Sequence, residues 1–222
     1  MSTKDTSSLG PDGMPLLNES EIRRGKVLGW RNFLGGFFAP LVMGLPIAFL
    51  IYSFGDTENY RQNISTLFPS KAHWVLLTAF VFSRLSAFLN LFPLLEKEKV
   101  MRPDSGNLRS NMKIFRALGN GPSHAVVMNM EGQIGRYNRA NRSMENFVEH
   151  AAPVGVNAVL LSLCFPFPTF MLICIYALAR IAHQVLYINV GYGSRGYGIG
   201  FFLGTAVTGT FEVLLLFAAF ST

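Results

Sequence analysis

Arg142, Asn146 and Glu149 stand at i, i+4 and i+7 in the run Arg142-Ser143-Met144-Glu145-Asn146-Phe147-Val148-Glu149-His150-Ala151-Ala152-Pro153. A helix puts them on one face, where a guanidinium fork, an amide and a carboxylate can hold a small zwitterion, carboxylate to arginine and amine to glutamate. A second polar stripe, Arg180, His183 and Tyr187, falls at i, i+3 and i+7, and Arg195 follows in the glycine-rich segment Gly191-Tyr192-Gly193-Ser194-Arg195-Gly196-Tyr197. Two helices with matching polar stripes can converge on one pocket. Arg84 and Glu212, the other ionisable residues inside apolar sequence, have no polar company and read as interhelical ion pairs that fix packing. Cys164 and Cys174 read as small apolar fillers, not as a disulfide or a metal site.

The elements that must position these groups are membrane spans. Half of the 222 residues are hydrophobic and only 14% are charged, and the apolar residues are gathered into long blocks. Residues 32–55 and 151–179 hold no charge and 196–222 hold only Glu212, while Ala72 to Leu95 is interrupted only by Arg84. Each is long enough for a helix of roughly 20 residues to cross a bilayer. In Cys164-Phe165-Pro166-Phe167-Pro168-Thr169 two prolines remove backbone donors and set a tight reversal, dividing the longest block into two helices. The expected spans are therefore about 30–54, 73–95, 138–165, 169–191 and 197–221.

Charge supports this division, because it places fifteen Lys and Arg on one side and only Arg61 and Lys71 on the other. That asymmetry predicts an amino terminus facing the cytoplasm, matrix or stroma. Residues 1–26 form a polar tail that fits neither a secretory signal nor a transit peptide. The basic pI is explained by topology and anionic lipid and calls for no nucleic acid. Gly196, Gly200 and Gly204 fall four apart at the start of the last span and predict a close-packing or oligomer face. Asn63-Ile64-Ser65, on the less basic side, is a glycosylation acceptor if the chain enters the secretory pathway.

The run around Arg142 resembles the second-helix motif of the MAPEG family, the membrane-associated proteins of eicosanoid and glutathione metabolism, in Arg142, Asn146 and Glu149. The run Ala179-Arg180-Ile181-Ala182-His183-Gln184-Val185-Leu186-Tyr187 with its glycine-rich sequel is similar to the third-helix motif in Arg180, Tyr187 and Arg195. Met144 departs from that pattern, His150 replaces an aromatic residue and His183 stands where a tyrosine is expected. The resemblance covers residues 73–222, including a long basic loop at 96–137, and leaves 27–55 as an extra amino-terminal helix. It implies an all-α integral membrane protein, a MAPEG-like four-helix transmembrane bundle with one added span. It further implies a homotrimer that binds glutathione between protomers, with Arg142, Asn146, Glu149, Arg180, His183 and Tyr187 as binding groups. Arg195 would be the catalytic residue that favours the thiolate.

Two functions follow. One is a glutathione-dependent transferase or peroxidase acting on lipophilic substrates from the membrane lipid. The other is a non-catalytic accessory subunit of a large complex, such as a respiratory, ATP synthase or photosynthetic assembly, whose other subunits contact residues 1–54. The expected membrane is the endoplasmic reticulum, the mitochondrial inner membrane or a plastid membrane.

Overall fold

Asn18 decides where the first helix begins. Its side chain accepts from the Glu21 amide at 2.9 Å, and the Glu21 carboxylate accepts from the Asn18 amide at 2.9 Å, closing a capping box. Helix α1 therefore runs Glu19–Phe54. This corrects the division into a polar tail to residue 26 and a helix from 27, because the cap satisfies the first turn well ahead of the apolar sequence. The structure, a computed structural model, describes residues 16–67, 72–101, 112–118, 125–190 and 195–220, except that nothing is described of the side chains of residues 67, 72 and 195–197. Lys4, Lys71, Arg102 and Arg109, counted above for orientation, lie outside the described residues.

The chain continues through α2 (Thr57–Leu67), α3 (Ala72–Lys97), the strands β1 (Phe115–Leu118) and β2 (Ala125–Met128), α4 (Gly132–Cys164), α5 (Pro166–Val190) and α6 (Arg195–Phe220). All but α2 among these helices are long and apolar enough to cross a membrane. The protein is an integral membrane protein with the five spans read from its sequence. Pro166 and Pro168 occupy the first turn of α5, where their missing donors would have had no intrahelical partner. Neither cysteine is in a disulfide, and Cys164 is exposed at the end of α4 instead of buried.

Neighbouring spans run antiparallel, as their contacts show. The start of α1 lies on the end of α3, with Gly25 against the Glu98 backbone and Gly29 against Leu95 and Glu98, while Phe33 inserts between Phe88 and Phe92. Burial raises the Glu98 carboxyl above its usual range. Further along, Arg84 of α3 donates to the Phe37 carbonyl and lies 4.1 Å over the Phe37 ring. The expected carboxylate partner is not what Arg84 takes. Pro40 has no N–H and leaves the Gly36 carbonyl, next to the one Arg84 takes, without its helical donor. Helices α3 to α6 share a core that includes Leu85, Leu89, Phe147, Leu161, Ile173 and Phe211.

A Cβ at position 25 would collide with the Glu98 carbonyl, a backbone atom that cannot turn aside. Gly25→Val is therefore expected to lift α1 from α3 at a cost of about 1–3 kcal/mol. Limited proteolysis in detergent should cut between α1 and α3 faster than in wild type, with little change in the melting of the remaining bundle. An unchanged cleavage rate would show that this glycine contact does not hold the helix.

Candidate functional site

Three helices that pack closely leave a cleft with polar lining groups between them. Gly200 brings α6 against the α5 backbone, since a Cβ there would sit 2.7 Å from Ala179 O and from His183 N. One turn on, Gly204 faces Arg180 and Tyr176 across ordinary contact distances, the nearest 3.6 Å. This thinning of α6 opens a cleft of about 360 Å³ lined by Asn146 and His150 of α4, Tyr176 and Arg180 of α5, and Gly204 and Glu212 of α6, among others.

Arg180 is the buried cation of the cleft. It is only 7% exposed, its Nη1 donates to Asn146 Oδ1 at 3.0 Å, and its guanidinium carbon lies 5.7 Å from the centre of the Phe147 ring. Its Nε is buried without a hydrogen-bond partner. A buried guanidinium with spare donor capacity in an apolar setting can receive an anion. Asn146 also serves a second group, because its backbone carbonyl lies 2.9 Å from His150 Nδ1.

The expected stripes are only partly brought together. Asn146 and Arg180 meet, although they are separated by 34 residues in sequence. Arg142 instead turns outward, with its side chain 55% exposed and Nη1 3.9 Å from Glu145, which Lys113 engages at 2.8 Å. Glu149 is also exposed and does not line the cleft. His183 and Tyr187 are buried and stacked with ring centres 5.7 Å apart, on the next turns of α5 beyond Arg180. Arg195 opens α6, and its side chain is outside the described residues.

Helical rotation explains the split. The buried stripe of α4 is set by Phe147, Val154, Ala158 and Leu161. At about 100° per residue, Arg142 and Glu149 fall about 130° and about 150° from the middle of that stripe, whereas Asn146 lies about 90° and His150 about 50° from it. Sequence reading missed His150 and Tyr176 as cleft residues and treated Glu212 as packing. The available signal was the i, i+4 relation of Asn146 and His150.

The end of the bundle carrying the hairpin is braced by polar contacts that hold the cleft helices in register. Arg136 bridges Glu96 at 3.1 Å and Asn189 at 2.7 Å, and Arg139 donates to Ile188 O and Met130 O. Asn138 hydrogen-bonds both backbone groups of Ile114 and the Asn129 carbonyl, fixing the β1–β2 hairpin to α4. A bidentate Arg116–Glu131 pair closes the hairpin; its hydrogen bonds lower the Glu131 carboxyl and raise the Arg116 guanidinium. Among the described residues no group of three or more His, Cys, Asp or Glu is placed to hold a metal.

Compared with known proteins, the sequence profile of the MAPEG family matches residues 105–217. That span contains the hairpin, α4, α5 and most of α6, and therefore every residue of the cleft; α1, α2 and α3 lie outside it. No curated protein and no solved structure matches the chain.

Proposed function

Because this chain belongs to the MAPEG family, we propose that it is a membrane-embedded glutathione transferase or peroxidase acting on lipophilic electrophiles drawn from the bilayer. The observation that carries this reading is Arg180, a buried guanidinium with an unpartnered Nε in a cleft between membrane-spanning helices. The hydrogen bond described for it goes to a neutral amide, so its positive charge remains available to an anion. Glutathione fits this donor set, with a carboxylate or the thiolate on Arg180 and the ammonium toward Glu212.

Bound glutathione supplies the nucleophilic sulfur. Arg180 holds negative charge in a setting where little water screens it, and Asn146 fixes the orientation of the guanidinium. The family resemblance gives Arg195 the task of favouring thiolate over thiol. The same resemblance supports a homotrimer. The excess of Lys and Arg on the hairpin side supports an amino terminus in the cytoplasm, matrix or stroma.

Calorimetric titration of the detergent-solubilised protein should show glutathione binding, accompanied by thiolate absorbance that Arg195→Ala lowers. No binding at millimolar glutathione would sink the proposal.

One observation favours the second reading, an accessory subunit of a larger membrane complex. No residue in the apolar window of α1 is buried by the rest of the chain. On this reading, native gels should show the protein in one large assembly that buries α1, whereas a homotrimer alone in mild detergent counts against it.

A further inference from the structure

His150 and Arg180 both line the cleft, and the two share a single anchor. Asn146 Oδ1 accepts from Arg180 Nη1 at 3.0 Å, and the Asn146 backbone carbonyl lies 2.9 Å from His150 Nδ1. A carbonyl oxygen can only accept, so Nδ1 carries the hydrogen in that bond. The neutral ring then keeps its lone pair on Nε2, and the side chain is exposed along the cleft wall. One residue thus sets out a cation and a base, the two groups that ionise a weak acid and hold the resulting anion.

We infer that His150 is the proton acceptor for the thiol that Arg180 receives, a role that rests on the glutathione reading above. The S–H bond breaks, its proton moves to His150 Nε2, and the bonding pair stays on sulfur as thiolate. With an aryl chloride as electrophile, the C–S bond forms on that pair, the C–Cl bond breaks with its pair leaving on chloride, and the imidazolium returns its proton to water.

The charged and titratable groups around the cleft suit this cycle. Tyr176 and Arg180 come from α5 and Glu212 from α6, with Glu149 adjacent on α4, while Arg84 of α3 lies outside the cleft and donates to the Phe37 carbonyl. Glu212 in the same cleft stabilises the transient imidazolium, and Arg180 stabilises the thiolate. The family pattern has an aromatic residue at this position, so the role belongs to this chain's own residue.

The test follows the reaction of glutathione with chlorodinitrobenzene across pH in wild type, His150→Gln and His150→Phe, with glutathione affinity measured alongside. Both variants should bind glutathione within about threefold of wild type and react about 100-fold more slowly at neutral pH. The deficit should shrink as pH rises and the bound thiol ionises unaided, and added imidazole should restore part of the rate. His150→Phe, which installs the family's aromatic type, keeps the test open if the glutamine variant does not fold. A wild-type rate and pH profile in either folded variant overturns the role of His150 and leaves the glutathione reading intact. Loss of glutathione binding in the variants also overturns it, in favour of a positioning role. Failure of the wild-type protein to bind glutathione overturns both.

Discussion

Arg180→Leu is expected to weaken glutathione binding by about 10- to 150-fold, the equivalent of one charge-assisted hydrogen bond. The variant should nevertheless fold. Arg180 is 7% exposed and carries a buried Nε without a partner, so leucine relieves the chain of a desolvated charge at membrane depth. Its loss frees Asn146 Oδ1, whose neutral amide is far cheaper to leave unpaired than a charge. Arg180→Lys should recover only part of the affinity, because an ammonium keeps the charge but lacks the planar fork that can serve Asn146 and a ligand together. Titration calorimetry and thermal melting in the same detergent separate the two effects. Wild-type affinity in a well-folded Arg180→Leu protein would remove the observation on which the functional proposal stands.

Gly200→Ala should destabilise the packing of α6 on α5 and Gly204→Ala should not, although the two glycines are one turn apart. A Cβ at 200 would lie 2.7 Å from Ala179 O and from His183 N. Both are backbone atoms of α5, so α6 must move away. That overpacking costs about 1–3 kcal/mol. At 204 the nearest neighbours are the Arg180 Cδ at 3.6 Å and the Tyr176 ring, ordinary contacts that accept a methyl group. Gly204→Ala should therefore melt like wild type while narrowing the cleft and lowering ligand affinity. Melting curves and binding isotherms of the pair give the check, and equal loss of stability in both would show that α5 and α6 are not held by close backbone approach at Gly200.

Much of the architecture was legible in the sequence because the bilayer enforces it. Uncharged blocks of spanning length, a pair of prolines at Pro166 and Pro168, and Lys and Arg crowded on alternate connections define five spans before any packing is known. The i, i+4 and i+7 spacing likewise placed Arg142, Asn146 and Glu149 on a common stripe, as any α-helix must. The capping box at Asn18 is present in the sequence too, but it lies in polar sequence well ahead of the apolar block that hydropathy marks as the span.

Spacing within a helix says nothing about how far that helix turns about its own axis. Phe147, Val154 and Leu161 settled the rotation of α4 by burying themselves against α3 and α5, which carried Arg142 toward Glu145 and the outside while keeping Asn146 in reach of Arg180. The same rotation brought His150 into the cleft, and the close approach allowed by Gly200 decided that α6 would supply Glu212 as its far wall. Similarly, Arg84 took a carbonyl near a proline in α1 in place of a carboxylate, a choice visible only once α1 lay along α3. The sequence alone determined which segments cross the membrane and which faces are polar, since hydropathy and helical period are local. Only tertiary packing decided which polar groups meet, because that depends on the rotation and separation of helices, which large buried side chains and glycine contacts set together.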